Sequence, residues 1–167
     1  MGMTKSYVLE VVKLFNELQV DYWLIGGWAV DFLLKLESGH KDVDFFVAHN
    51  QKAKTSSALE SIGFHQNEDG WENGNTFYER DNQLIDLAPI TNTSAPKLIG
   101  DYAALEFPKE LLEPRFLDVE GVLVRTISPH MHIAIKHSIG AAFDGLREKD
   151  FAEIQLLEHH IRNHYGE

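Results

Sequence analysis

Asp42 and Asp44 break an otherwise apolar run, "HKDVDFFV", and a double glycine, Gly26-Gly27, stands one short helix upstream in "LIGGWAVDFLLKL". Side chains at i and i+2 of a strand leave the same face, so the two carboxylates project together while Val43 and Phe45 point the other way. Side by side they repel, and partial burial raises at least one pKa. A strand that only filled a core would carry neither. A divalent cation removes the conflict, and magnesium suits it, taking one or two carboxylates and completing its shell with water and substrate phosphates. A third acid, Asp86 in "LIDLAPI", lies between apolar neighbours in another strand and is equally unexplained by packing. Three strand-borne acids point to a metal site for phosphate chemistry. The glycines fit that picture, because a helix opening directly after a strand leaves backbone N–H groups free where no side chain intrudes, and such an end attracts phosphate.

The pattern around these residues predicts a mixed α/β domain with a mixed sheet, flanking helices and further helices at the C-terminal end. Val8, Val11, Val12, Phe15 and Leu18 recur at helical spacing over 5–18. "DYWLIGG" is a short buried strand ending in a glycine turn, "WAVDFLLKL" a helix, "VDFFV" a second strand, and "QKAKTSSALESIGF" a helix closed near Gly63. "WENGNTFYERDNQLIDLAPI" carries turn signals at Asn73-Gly74 and Asp81-Asn82 with strands on either side. Residues 91–114 hold Pro96, Pro108 and Pro114 and are predicted to be mostly loop. "VLVRTI" is a strand. Ser128-Pro129 caps and opens a helix through residue 137, and a last helix covers 147–164. The division that follows is 1–127 as the main domain and 128–167 as a helical segment packed on it.

Composition narrows the partners. The 167 residues include 26 acidic against 15 basic, a formal charge of −11, so long nucleic acid is an unsuitable partner and a cationic small molecule a suitable one. No run reaches the roughly 18 to 20 apolar residues a membrane span needs, and "MGMTKSYVLEVV" has no signal-peptide pattern. A cytoplasmic location is expected. With no cysteine, disulfides and thiolate metal sites are excluded.

The order strand, Gly-Gly, helix, hDxDh and later strand aspartate resembles the polymerase-β-type nucleotidyltransferase superfamily. Within it, "GGWAVD" followed by "HKDVDFFV" is similar to the lincosamide and aminoglycoside nucleotidyltransferases of antibiotic resistance, closely from Asp21 to Ile90 and more loosely through Lys136 and "REKDFAEIQLL". The resemblance implies transfer of a nucleoside monophosphate, usually AMP from ATP, onto a hydroxyl of a lincosamide- or aminoglycoside-like acceptor. It implies that Asp42, Asp44 and Asp86 hold two Mg²⁺ ions, that Asp86 also accepts the hydroxyl proton, and that Gly26, Gly27, His40 and Lys136 contact the triphosphate. Two positions depart from the pattern: Ser38 stands where relatives often carry arginine, and Ala88 where they often carry a polar residue. Other readings stay open: a minimal nucleotidyltransferase of toxin–antitoxin type acting on protein or RNA, or a non-catalytic nucleotide sensor. The oligomeric state is open too, a homodimer included.

Several residues also have plainer readings. Trp28 fits a core better than a nucleotide stack, and Asp31 fits a capping or exposed position as well as a functional one. Lys136 is balanced between triphosphate contact and solvated surface, while Arg147, Lys149 and Asp150 read as surface ion pairs. His130, His132 and His137 do not share a helical face; His160 and His164 do, at a helix C-terminus, where they suit the macrodipole better than zinc. The acids of "NEDGWENG" read as a hairpin tip. Acceptor contacts are expected from 70–79 and 101–113, where Glu72, Glu79, Asp101 and Glu106 lack a structural explanation.

Overall fold

Burying the stripe of α1 (Lys5–Glu17) builds the first layer of the molecule: Val8, Val11, Val12 and Phe15 are fully enclosed, and Thr4 caps the helix by accepting from the Tyr7 N–H. In the computed structural model, which describes residues 2–67, 70–72, 74–91 and 93–165, β1 (Tyr22–Ile25) runs straight into α2 (Gly26–Leu34). Then come β2 (Asp42–Ala48) and α3 (Lys52–Ser61), after which Gly63 turns the chain at φ +90°. β3 (His65–Gln66), β4 (Thr76–Arg80), β5 (Gln83–Thr91) and β6 (Lys97–Leu98) follow. The chain closes with β7 (Arg115–Val119), β8 (Val122–Thr126), α4 (Pro129–Ala142) and α5 (Glu148–Tyr165).

The strands form one mixed sheet in the order β3-β4-β5-β2-β1-β8-β7, with β6 added to β5. β2 lies parallel to β5 and β1 parallel to β8; the other pairings are antiparallel. Period-two alternation sorts the side chains into two cores. Val43, Phe45 and Val47 pack with α1 and α3 on one face, while Phe46, Trp23, Ala88 and Ile90 pack under Ile135 of α4 on the other. Asp42, Asp44 and Asp86 share parity with that second face. They therefore emerge beside α4 instead of inside the α1 layer.

The mixed α/β class and C-terminal helices match the expectation, and the misses are local. The Asp81-Asn82 turn forms as expected, with φ of 52° and 64°, the left-handed pair that a two-residue hairpin needs. A second such turn, Glu120-Gly121 at 53° and 81°, joins β8 to an unpredicted partner, β7. β7 escaped notice because it is an edge strand whose Arg115 and Phe116 face solvent, so it lacks a buried stripe. The stretch 91–114 is not all loop: it holds β6 and a short 3-10 turn, Gly100–Tyr102. Ser128 caps α4 through the Met131 N–H as expected, but the helix runs on past 137 to Ala142. Asn73 of the first predicted turn lies outside the described residues, as do Glu68 and Asp69 of the hairpin tip.

Candidate active site

The register of the central strands brings the acids together. Asp44 sits opposite Asp86 across the parallel β2–β5 pair and opposite Ile25 across the antiparallel β1–β2 pair, and Asp42 lies one pleat along. Their carboxylates face each other closely enough to interact, and Asp86 accepts from Asn75 Nδ2 at 2.9 Å. Desolvation, then the charges of Asp86 and Asp42, push the Asp44 carboxyl well above the usual carboxylate range. Burial and the Asp42 charge push Asp86 up to about 6. Three acids crowded together on one wall oppose one another's charge, and the Lys149 ammonium offsets only part of that repulsion at Asp44.

The double glycine answers to this crowding. Gly26 has φ +72°, and a Cβ on it would lie 2.4 Å from Asp44 Oδ2. On Gly27 a Cβ would lie 2.4 Å from His40 Nδ1. So the glycines open the first turn of α2 and also make room for an acid on one side and an imidazole on the other. Asp31 is neither exposed nor a simple cap. It is buried in α2, where it accepts from the Ser38 N–H, the Ser38 hydroxyl and His40 Nε2, each at 3.0 Å. Trp28 is core, packed edge-on against the His40 ring.

Above the acids lies a cavity of about 660 Å³. Gly26, Gly27, Asp42, Asp44 and Asp86 form its floor; Tyr102, Phe107, Ile135 and Phe143 form an apolar wall; Lys136, Arg147, Lys149, Asp150 and Glu153 form a charged one. His40 stands one layer behind the glycine turn, with a side chain only 7% exposed. Lys136 is on the wall but is not solvated: its ammonium is held by Asp150 at 3.2 Å and Glu153 at 2.5 Å. Asp150 is likewise buried. Its carboxyl is held well below the usual range, first by the Arg147 guanidinium, which meets it at 3.0 and 3.1 Å. The surface-pair reading is thus wrong for Asp150, and the solvated-surface alternative is wrong for Lys136.

Among the acids with no packing role, Glu72 pairs with His49 and Lys52, and Glu79 accepts from Asn67. The two segments reach the cavity through Asn75, Tyr102 and Phe107 instead, with Asp101 and Glu106 outside its lining. His132, on the cavity's far wall, is wholly buried and bonded to Thr126 at 3.1 Å, and desolvation drives its pKa down to about 3. His160 and His164 stack at 4.1 Å. Among the described residues no three acids or histidines form a ready-made metal cage, and no helix is long and apolar enough to cross a membrane.

A family model for aminoglycoside-2''-adenylyltransferases matches residues 7–157, nearly the whole described chain. The chain belongs to the aminoglycoside-2''-adenylyltransferase family. A lincosamide resistance protein of Staphylococcus haemolyticus is 35% identical to this family member over 64 residues, 38% of the chain and 40% of that protein. Over that match the chain spans less than half the length of the relative. The fold is shared with solved antibiotic adenylyltransferases. The lincosamide antibiotic adenylyltransferase LnuA with lincomycin bound superposes with a TM-score of 0.72 at 22% identity, covering 95% of this chain and 98% of that one. ANT(2")-Ia in complex with adenylyl-2"-tobramycin gives 0.72 at 17% identity, covering 93% and 88%. The polymerase-β-like nucleotidyltransferase fold read from the DxD strand is therefore the family's fold.

Proposed function

We propose that the chain is a magnesium-dependent adenylyltransferase that moves AMP from ATP onto a hydroxyl of a small antibiotic-like acceptor of the lincosamide or aminoglycoside kind. One observation carries this reading: three carboxylates on two paired strands, Asp44 in register with Asp86, face a 660 Å³ cavity beside a glycine turn that opens a helix. The donor set suits a hard divalent ion, being all oxygen, with three carboxylates whose mutual repulsion and burial raise the Asp44 carboxyl. Asp42, Asp44 and Asp86 would hold two Mg²⁺ ions, which when bound supply neutralisation of the triphosphate and of the departing pyrophosphate.

The chain's own residues do the rest. Gly26 and Gly27 present backbone N–H groups at the start of α2 with no side chain to keep phosphate away. Asp86, steadied by Asn75, accepts the proton of the acceptor hydroxyl as its oxygen attacks the α-phosphorus and the bond to pyrophosphate breaks. Residues 1–127 contribute the acids and the glycine turn, and 128–167 contribute the charged wall. Lys136 faces the same cavity and serves the triphosphate only if it leaves its two acids. Six acids on the lining against three cations favour a cationic acceptor, whose approach weakens as salt rises.

The test is a mass-spectrometric screen of lincosamides and aminoglycosides with ATP and Mg²⁺, with GTP, CTP and UTP alongside. A drug product heavier by one adenylyl group supports the reading. Modification of a co-expressed protein or tRNA in place of any drug replaces it with the macromolecule-modifying one, and ATP binding without transfer to any acceptor replaces it with a sensor.

A further inference from the structure

Asp31, His40 and Lys149 form a line of contacts from the core of α2 to the cavity wall. Asp31 and His40 are almost fully buried, and His40 Nε2 meets the Asp31 carboxylate at 3.0 Å. A carboxylate only accepts, so the ring proton is on Nε2. His40 Nδ1 lies 3.4 Å from the Lys149 ammonium, which only donates, so Nδ1 is the bare nitrogen. The pattern fixes one neutral tautomer of His40. It also ties the first turn of α5 to the glycine turn of α2, since the same ring packs directly against Gly27.

The chemistry of this tether differs from that of every other cation on the cavity wall. Lys136 is neutralised by two buried acids, and Arg147 is spent on Asp150. Lys149 has only a loose acid partner, Glu153 at 3.8 Å, and over half of its side chain is exposed. A lysine stem is flexible, so a site that needs its charge in one place has to hold it. Holding it with an acid cancels the charge; holding it with a neutral imidazole nitrogen does not.

We propose that Asp31 and His40 are positioning residues that hold the Lys149 ammonium, uncancelled, over the Gly26-Gly27 turn to meet the phosphates of the nucleotide donor. This rests on the nucleotide-transfer reading above. Asp31 fixes the ring, the ring aims the lysine, and the lysine alone touches the nucleotide.

The test is a double-mutant cycle read by calorimetric binding of α,β-methylene-ATP with Mg²⁺, paired with melting temperatures. Lys149→Ala should weaken binding about tenfold, the loss of one charge-assisted hydrogen bond. His40→Gln places an amide near Nε2, keeps the Asp31 contact and loses the lysine; it should melt near the wild type yet show most of the same tenfold loss. His40→Asn offers an oxygen near Nδ1 and gives up the Asp31 contact; it should melt lower but bind closer to the wild type. The double variant Lys149→Ala, His40→Gln should bind no worse than Lys149→Ala alone. Losses that multiply, or a His40→Gln that binds like the wild type, overturn the tether. A wild-type chain that does not bind the analogue at all overturns the transfer reading itself, and the tether with it.

Discussion

Asp44 and Asp86 are directly opposed on adjacent parallel strands, and burial together with the neighbouring carboxylate charges raises both above the usual carboxylate range. Both groups are elevated in the fold, so their contribution to stability is complete below the unfolded value near 4 and is lost as pH rises through the folded one, about 6 for Asp86. The metal-free protein should lose stability over that window at up to about 1.4 kcal/mol per pH unit for each group. Asp44→Asn and Asp86→Asn should each flatten the slope, melt at or above the wild type at pH 7 without metal, and abolish transfer. Urea titrations across pH, with and without Mg²⁺, check this; a slope that the substitutions leave unchanged would sink the account of two raised carboxyls.

His132 runs the opposite way. Its folded pKa is depressed to about 3 against an unfolded value of 6.5. Its contribution is complete above 6.5 and lost as pH falls toward 3, because the unfolded chain takes up a proton that the buried ring refuses. His132→Gln should remove that acid-side loss and leave the carboxylate slope untouched. The two windows overlap between pH 4 and 6, so the variants separate what the wild-type curve combines.

Gly26→Ala is expected to be destabilising by about 2 kcal/mol from its left-handed φ alone. The added methyl also falls on Asp44 Oδ2, so activity should vanish even where the variant folds. Melting temperature and single-turnover transfer, measured on the same sample, distinguish the two losses.

Removing Lys136 leaves buried Glu153 with only the loose Lys149 contact and buried Asp150 with Arg147 alone. Lys136→Ala should destabilise the fold by about 3 kcal/mol, the scale for breaking a buried ion pair from one side. If Lys136 also meets the triphosphate, ATP affinity falls as well; a stable variant with weakened ATP binding would reverse the order of these roles.

The acids and glycines were legible before the fold because their residue types are wrong for where the pattern puts them. A strand with Val43 and Phe45 on one side has no packing reason to carry Asp42 and Asp44 on the other. The charged wall was not legible in the same way. Asp150 and Glu153 sit on a polar helix with surface-like spacing, and only the docking of α5 on α4 and α2 turns them inward. Lys149 gives no sequence signal beyond the looser likeness of "REKDFAEIQLL". What identifies it is a neutral ring nitrogen 3.4 Å away, supplied from more than a hundred positions upstream. The burial of Asp31, which the sequence left balanced between a functional and a capping or exposed role, was not legible for the same reason: its partners, Ser38 and His40, come within reach only after the chain doubles back.

The strand order also sets when the site comes into being. β1 is parallel to β8, with the Thr126 hydroxyl on the Leu24 carbonyl across 102 residues, and β2 must find β5 before Asp44 meets Asp86. Parallel pairings between distant segments close large loops before any contact repays them, which slows the search. During synthesis, the strands bearing Asp44 and Asp86 leave the ribosome long before β8 or α5. The half-built sheet then exposes the acids, the flank of β1 and the apolar floor of the future cavity. Until α5 docks the cavity lacks its charged wall, and over that interval the uncovered strands are open to proteases and to pairing with other chains.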